Sequence, residues 1–175
     1  MQPAISVIVP VLNTKPYLRQ CLDSLAKQTM GDMEIICVDN GSTDGSYASL
    51  QEYAESTPQF SFFRHTEGRQ GGARNAGLAV ARGQYVGFVD ADDFVTSDMF
   101  EVLWKAANRT QADIVICNAR AFFQSAKSSK ALIPADLLTG EFPFAISQRP
   151  ALLRNLVVWN KLFRRSLLLE HGIEF

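Results

Sequence analysis

Three carboxylates follow a run of strand-forming residues in the segment 85–93, and their spacing suits metal chemistry. Asp90 and Asp92 are separated by a single alanine where the backbone leaves the predicted strand, so both side chains can point at a common position. Carboxylates a few ångströms apart repel each other, and a cation between them relieves that repulsion. Mg²⁺ or Mn²⁺ suits such oxygen ligands and usually shares them with substrate phosphates. The alternative is a solvated acidic turn that caps the next helix.

A second polar segment, residues 39–46, directly follows another apolar run. Its glycines allow a tight path, and Ser42, Thr43 or Asp44 can cap the helix after it. Capping needs only one such residue, which leaves Asp39 at the end of the strand. The Asp39 carboxylate could accept a hydrogen bond from the imide N–H of a uracil or from a ribose hydroxyl. A purely structural turn is the other interpretation.

Residues 68–77 form a glycine-rich segment that contains Arg69 and Arg74. Glycines ahead of a helix let backbone N–H groups and the positive end of the helix dipole approach an anion, and either arginine could bind a phosphate. The alternative is a helix of small residues packed closely on a sheet, with Arg74 in solvent. The spacing matches neither a dinucleotide fingerprint nor a P-loop. Together, the three segments predict a nucleotide diphosphate site for metal-assisted group transfer.

Apolar runs that alternate with amphipathic segments predict the elements that position these residues. Strands are expected at 5–9, 34–38, 60–63, 84–89 and 114–117, with helices between them. This alternation predicts an α/β fold with a mainly parallel central sheet covered on both faces. Ligands of such sheets bind beyond the carboxyl ends of the strands. Since residues 10–13, 39–44 and 90–93 all follow strand ends, we expect them along one edge of the sheet.

The pattern is weaker after residue 118. Residues 124–130 read as a polar loop, residues 136–150 show no clear periodicity, and Leu152, Leu153 and Leu156 indicate a short helix.

Composition excludes several classes of protein. The 175 residues are 47% apolar and 20% charged, as in an ordinary globular domain. Seventeen basic residues nearly balance eighteen acidic ones, which argues against nucleic acid as a partner. The apolar runs are shorter than the roughly 18 residues that span a bilayer. The three cysteines are far apart in apolar segments, which is typical of reduced core residues in a cytosolic protein.

Five segments of the chain resemble, in their order and spacing, the motifs of family 2 glycosyltransferases: 6–13, 38–46, 72–77, 85–93 and 158–164. These are inverting, nucleotide-sugar-dependent enzymes of the GT-A fold. The resemblance implies a Rossmann-like α/β/α sandwich. It also implies transfer of a sugar from a nucleotide diphosphate donor, expected to be a UDP-sugar, to a hydroxyl acceptor in surface polysaccharide synthesis.

The same resemblance implies roles for individual residues. Asp39 is expected to bind uracil, Asp92 to ligate Mn²⁺ or Mg²⁺ directly, and Asp90 to lie next to the ribose or the metal. The full set expected to bind the nucleotide is Pro10, Asn13, Asp39, Arg74 and Asp90.

The resemblance also divides the domain into a donor-binding half, residues 1–118, and the start of an acceptor-side region, residues 119–175. In the family, the catalytic base usually lies in an acidic pair downstream of the segment that residues 159–175 resemble, and this chain ends before any such pair. Neither Glu170 nor Glu174 matches it. We therefore expect an N-terminal fragment of a longer enzyme; the alternative is a donor-binding fragment without turnover.

Expected partners are a nucleotide-sugar donor and a glycan or lipid-linked acceptor, with no nucleic acid. The expected location is the cytoplasm, where membrane contact would come only through sequence beyond Phe175.

Overall fold

The computed structural model describes residues 2–123, 128–133, 143–154 and 157–175. Its strands are β1 (Ile5–Val11), β2 (Met33–Asp39), β3 (Phe60–Arg64), β4 (Tyr85–Phe88), β5 (Ile114–Ile116), β6 (Arg120–Phe123), β7 (Ser128–Ala131) and β8 (Lys161–Arg164). Its helices are α1 (Lys15–Ala26), α2 (Ser46–Ser56), α3 (Arg69–Val80), α4 (Met99–Thr110) and α5 (Arg165–Glu170). Two short 3₁₀ segments, Ile146–Gln148 and Pro150–Arg154, precede β8.

Six strands form one sheet in the order β3-β2-β1-β4-β8-β5, and β6 pairs with β7 separately. β1 runs parallel to β2 and β4, and β2 runs parallel to β3. β8 is antiparallel to both of its neighbours, β4 and β5. The predicted α/β fold with a mainly parallel central sheet is confirmed.

The sheet lies between two layers of helices, so its central strands are buried on both faces. All seven residues of β1 are buried. One face packs against α1, α2 and α4 through residues such as Leu18, Leu50 and Phe100. The other face packs against α3 and α5 through Ala73 and Leu168. The chain therefore forms the α/β/α sandwich that the resemblance implied.

α3 approaches the sheet closely through a glycine. A Cβ atom at Gly77 would lie 2.5 Å from Cγ2 and 3.2 Å from Cγ1 of Ile8 on β1. Because Ile8 is fully buried, its side chain has no room to move away. The lack of a side chain at Gly77 thus sets the distance between α3 and the strands, and so the position of the N-terminal turns of α3.

The C-terminal third differs most from the sequence-based expectation. β8 was not predicted as a strand, and β7 occupies part of the stretch 124–130 that was expected to be a loop. The short helix expected around Leu152 is a 3₁₀ segment, while Leu156 lies outside the described residues. Within the described residues, no helix combines the length and apolar character needed to cross a bilayer.

Candidate functional site

The predicted polar segments meet at the edge of the sheet formed by the carboxyl ends of β1, β2 and β4. Val11 is opposite Asp39 in the parallel pairing of β1 with β2, and Ile8 is opposite Phe88 in the pairing of β1 with β4. Continuing the second register by two residues brings Asp90 level with Pro10, which is itself buried in β1. The topology therefore places Pro10, Asp39 and Asp90 at the carboxyl ends of three adjacent strands, as the sequence predicted.

Asn13 connects the loop after β1 to the loop after β2 through hydrogen bonds. Its side-chain Oδ1 accepts a hydrogen bond from the backbone N–H of Thr43 at 2.9 Å, and its own N–H donates to Ser42 Oγ at 3.1 Å. Asn13 has a φ of 52°, a left-handed conformation that asparagine tolerates better than most residues. Its amide oxygen is thus engaged with protein, while the residue as a whole remains exposed.

Asp44 connects the first turns of two helices. One of its oxygens accepts from the N–H and the hydroxyl of Ser46, which begins α2, and the other accepts from the N–H of Lys15, which begins α1. These bonds, chiefly that from the Ser46 hydroxyl, hold the pKa of Asp44 below its usual value. Of the capping residues considered from sequence, Asp44 is the one bonded to the first residue of α2.

Asp39 is completely enclosed. Its carboxylate accepts hydrogen bonds from the backbone N–H groups of Gly41 and Ser42 at 3.2 to 3.3 Å. Arg64, the last residue of β3, donates from Nε to Asp39 Oδ2 at 2.8 Å. The Asp39 side chain has 0% exposure, whereas that of Arg64 has 46%. The Asp39 carboxylate is therefore covered, and Arg64 is the partly exposed member of the pair.

Arg74 and Asp90, two of the predicted nucleotide-binding residues, form an ion pair. Arg74 Nη2 lies 2.7 Å from Asp90 Oδ1, and their side chains are only 15% and 19% exposed. Gln70, one turn earlier on α3, donates to the same oxygen at 3.2 Å. Arg74 Nε is buried and has no hydrogen-bond partner in the described structure. The glycine-rich helix thus binds the acidic segment directly, so Arg74 is not merely solvated.

Asp92 and Asp93 are both exposed residues of the acidic segment, whereas Asp90 is half-buried. Asp92 makes no hydrogen bond or ion pair with any residue that the structure describes. Partial burial of the Asp93 carboxyl, with smaller contributions from Asp92 and Asp90, raises the pKa of Asp93 to about 6. A divalent cation would relieve this concentration of negative charge, since an ion close to a carboxylate stabilises its charged form.

The donor set at this position fits a hard cation that is shared with a substrate. Within the described residues, no three His, Cys, Asp or Glu side chains are grouped so as to hold a metal ion by themselves. Mg²⁺ and Mn²⁺ commonly use one or two carboxylates and complete their shell with phosphate oxygens and water. Asp92, supported by Asp90, supplies ligands of that kind, whereas a metal site made of protein side chains alone does not fit.

Two features of this edge were not predicted from sequence, namely Arg64 and the start of β8. Because β8 is antiparallel to β4, its first residue, Lys161, lies at the same edge as Asp90. Lys161 is buried, and its ammonium donates to Oδ1 of Asn160 at 2.8 Å and to the carbonyl oxygen of Val157. Burial lowers the pKa of Lys161 to about 8. The motif 158–164 could have drawn attention to Lys161, because the polar pair Asn160 and Lys161 interrupts an otherwise apolar run.

Glu170 is at the opposite edge of the sheet from this site. It lines a shallow cleft together with Gln2, Gly83 and Arg165. Gly83 packs against Ser6 at the beginning of β1, which identifies the edge. Glu170 is therefore distant from the acidic segment after β4.

Comparison with known proteins adds independent information about the chain. Residues 6–172 match the model of the family described as "Glycosyl transferase family 2". The chain is 34% identical to the uncharacterized glycosyltransferase EpsJ of Bacillus subtilis (strain 168), over 95% of this chain and 49% of that protein. It is 33% identical to the poly(ribitol-phosphate) beta-glucosyltransferase of Bacillus spizizenii, over 98% of this chain and 26% of that protein. The chain thus spans about half the length of relatives such as EpsJ.

Solved structures show the same fold. The crystal structure of S. aureus TarS 1-349 in complex with UDP-GlcNAc superposes with a TM-score of 0.79 at 24% identity, over 98% of this chain and 48% of that chain. The mannosyltransferase PcManGT from Pyrobaculum calidifontis, in complex with GDP-Man and Mn²⁺, superposes with a TM-score of 0.70 at 23% identity, over 98% of this chain and 47% of that structure.

Proposed function

Because the chain belongs to glycosyl transferase family 2, we propose that it carries the donor site of an enzyme that moves a sugar from a UDP-sugar to a hydroxyl group. The acceptor would be a glycan or a lipid-linked glycan in surface polysaccharide synthesis. The reaction would take place in the cytoplasm. Support for UDP comes from the UDP-GlcNAc bound to TarS, and support for a polymer acceptor comes from the poly(ribitol-phosphate) relative.

The observation that carries the proposal is the free Asp92 carboxylate beside the Arg74–Asp90 ion pair. The pair balances the charge of Asp90, which leaves Asp92 to ligate a divalent cation. The Mn²⁺ bound with GDP-Man in PcManGT supports this assignment. When bound, Mn²⁺ or Mg²⁺ would neutralise charge on the leaving diphosphate.

The remaining predicted residues would bind the nucleoside. Pro10 and Asn13 would border the base, with the loops on either side held together by the hydrogen bonds between Asn13 and the loop after β2. Asp39 would accept the ring N–H of uracil. Since Arg64 covers Asp39 in this structure, the carboxylate becomes available only when the Arg64 side chain shifts.

Arg74 would donate hydrogen bonds near the diphosphate and at the same time keep its ion pair with Asp90. Its Nη2 is bonded to Asp90, and its buried Nε has no partner among the described residues. A guanidinium group has five N–H donors, so the same residue can hold a carboxylate and meet a second anion.

The reaction is proposed to invert the anomeric carbon by direct displacement. The acceptor oxygen attacks that carbon, the bond to the diphosphate oxygen breaks, and UDP leaves with the electron pair. A carboxylate base takes the proton of the acceptor hydroxyl. We assign residues 1–118 to the donor half and residues 119–175 to the start of the acceptor side.

A second candidate function is a donor-binding unit that does not turn over by itself. The position of Glu170 at the opposite edge favours this candidate, because that carboxylate is far from the candidate donor site. In this case the base would belong to another part of the whole protein.

The experiment that separates these functions measures the release of UDP from UDP-glucose, UDP-galactose and UDP-GlcNAc by the protein in the presence of Mn²⁺. Release above the rate seen with the Asp92→Asn variant would support a transferase complete within these residues. Binding of UDP without release would support the donor-binding unit. Absence of both would contradict the proposed function.

A further inference from the structure

The enclosure of Asp39 raises the question of what a nucleobase contacts first. The carboxylate accepts two backbone N–H groups and Arg64 Nε, and none of its surface is exposed. Because none of the carboxylate is exposed, a base can reach Asp39 only if a group that covers it moves. The backbone N–H groups of Gly41 and Ser42 are fixed by the turn that they form. Arg64 is the side-chain donor, and it is the one that can move.

Arg64 is held in a defined plane. Its guanidinium carbon lies 4.2 Å from the centre of the Tyr47 ring, and this ring packs edge-on against Phe62 at 5.6 Å. Stacking on an aromatic face orients a guanidinium group and leaves its N–H edge available. Only Nε is used on Asp39, and the terminal nitrogens of Arg64 donate to no residue in the described ranges. Its free donors therefore face the solvent beside the enclosed carboxylate.

We propose that Arg64 selects the nucleobase of the donor, an inference that rests on the proposed function. The N3–H of the base replaces Arg64 Nε on Asp39 Oδ2, and Arg64, still stacked on Tyr47, donates to O4, one of the two carbonyl oxygens next to that N–H. The exchange conserves hydrogen bonds only for a base with a ring N–H beside a carbonyl at this edge, as in uracil. In cytosine, N3 is an acceptor and an amine replaces O4, so both contacts would be mismatched.

A purely structural role for Arg64 would be to neutralise Asp39. Another arginine–carboxylate pair of the molecule, which lies away from the candidate site, is an example of such a structural role. Arg82 binds Glu34 with Nε at 2.9 Å and Nη2 at 2.7 Å, at the opposite edge of the sheet. As at Arg64, an exposed arginine covers a more buried carboxylate, with side-chain exposures of 72% and 15%. Arg82→Ala is therefore the control for the loss of a surface arginine.

The test is the ratio of the affinities for UDP and CDP, measured calorimetrically with Mn²⁺ for the wild-type protein, Arg64→Ala and Arg82→Ala. UDP and CDP differ only at the edge that Arg64 and Asp39 would contact. We expect Arg64→Ala to lower the preference for UDP by about tenfold or more, the usual effect of a lost charged hydrogen bond. Arg82→Ala should keep the wild-type ratio. An unchanged ratio in folded Arg64→Ala protein would overturn the assignment.

If Arg64→Ala does not fold, the same ratio is measured with Arg64→Lys. The lysine ammonium can balance the charge of Asp39, but it lacks a planar fork that serves a carboxylate and a carbonyl together. A lower ratio with an unchanged melting temperature supports recognition of the base, and a wild-type ratio overturns it. Failure of the wild-type protein to bind any nucleotide would instead contradict the proposed function itself.

Discussion

Arg74 Nη2 lies 2.7 Å from Asp90 Oδ1, so an ion pair joins the glycine-rich helix α3 to the acidic segment after β4. Both side chains are largely buried, and Gln70 donates to the same oxygen. The sequence suggested that the glycine-rich segment contacts the diphosphate of a donor and that the acidic segment binds a metal ion. The ion pair connects these two segments directly. Asp92, which is exposed and outside this pair, remains available for a cation.

The Arg74–Asp90 pair should be energetically coupled. In a double-mutant cycle with Arg74→Gln and Asp90→Asn, we expect a coupling of about 1–3 kcal/mol, because each single change leaves a partly buried group without its partner. Urea denaturation without metal measures it. The exposed pair Arg19–Asp23, with a distance of 4.0 Å, is the control and should give below about 0.5 kcal/mol. Equal coupling energies in the two cycles would contradict the claim that burial strengthens the Arg74–Asp90 interaction.

Asp39→Asn should weaken the binding of uridine even without a metal ion. The amide places an N–H₂ group where a carboxylate oxygen accepts hydrogen bonds, so at least one contact to Arg64 or to the base is lost. We expect about a tenfold loss of affinity, measured by calorimetry with uridine. Asp32→Asn, an exposed aspartate next to the beginning of β2, is the control. Uridine affinity equal to that of the wild type would leave Asp39 with a structural role only.

Gly77→Ala should destabilise the fold although alanine is the better helix former. The new methyl group would lie 2.5 Å from Ile8 Cγ2 in the core, and overpacking of this kind costs about 1–3 kcal/mol. The change in the free energy of unfolding can be measured with urea. Gly31→Ala adds a methyl group with nothing within 4 Å and should change stability by less than about 0.5 kcal/mol. Similar losses of unfolding free energy in the two variants would show that α3 does not pack against Ile8 at contact distance.

Lys161 should make stability depend on pH under alkaline conditions. Burial lowers its folded pKa from the ordinary 10.5 to about 8, so between these values the unfolded chain binds more protons than the folded one. The contribution of Lys161 to stability therefore rises as pH rises from about 8 to 10.5. The difference in unfolding free energy between wild type and Lys161→Met should change by about 1–3 kcal/mol over that window.

The control for that titration is Lys105→Met, which removes an exposed lysine of α4 without relieving a buried charge. The Lys161→Met difference should change more over this window than the Lys105→Met difference. Equal changes in the two variants would show that burial does not penalise the Lys161 ammonium.

The fold was predictable where local patterns agree with the tertiary structure. β1 and β2 are runs of apolar, β-branched residues, and such runs are typical of strands buried between two layers of helices. The position of the site followed from the topology, since residues after parallel strands meet at one edge. β8 was missed because it has four residues, begins with Lys161 and ends with Arg164, and pairs with strands distant in sequence.

The contacts within the site could not be read from sequence. Arg74 was expected to meet a phosphate or solvent, and only the packing of α3 on β1 shows that it binds Asp90. The third strand was expected to end at Phe63. In the structure it continues by one residue, because the pairing of β2 with β3 extends to Asp39 and Arg64. This single additional residue brings Arg64 to the predicted base-binding carboxylate.

The most direct test of the donor site is the affinity for UDP with and without Mn²⁺, measured by calorimetry for the wild-type protein, Asp92→Asn and the control Asp98→Asn. Asp98 is an exposed aspartate just before α4 and outside the acidic segment. We expect Mn²⁺ to raise UDP affinity by about tenfold or more in the wild type and in the control, and to have little effect in Asp92→Asn. Equal dependence on Mn²⁺ in all three proteins, or no binding of UDP, would contradict the account.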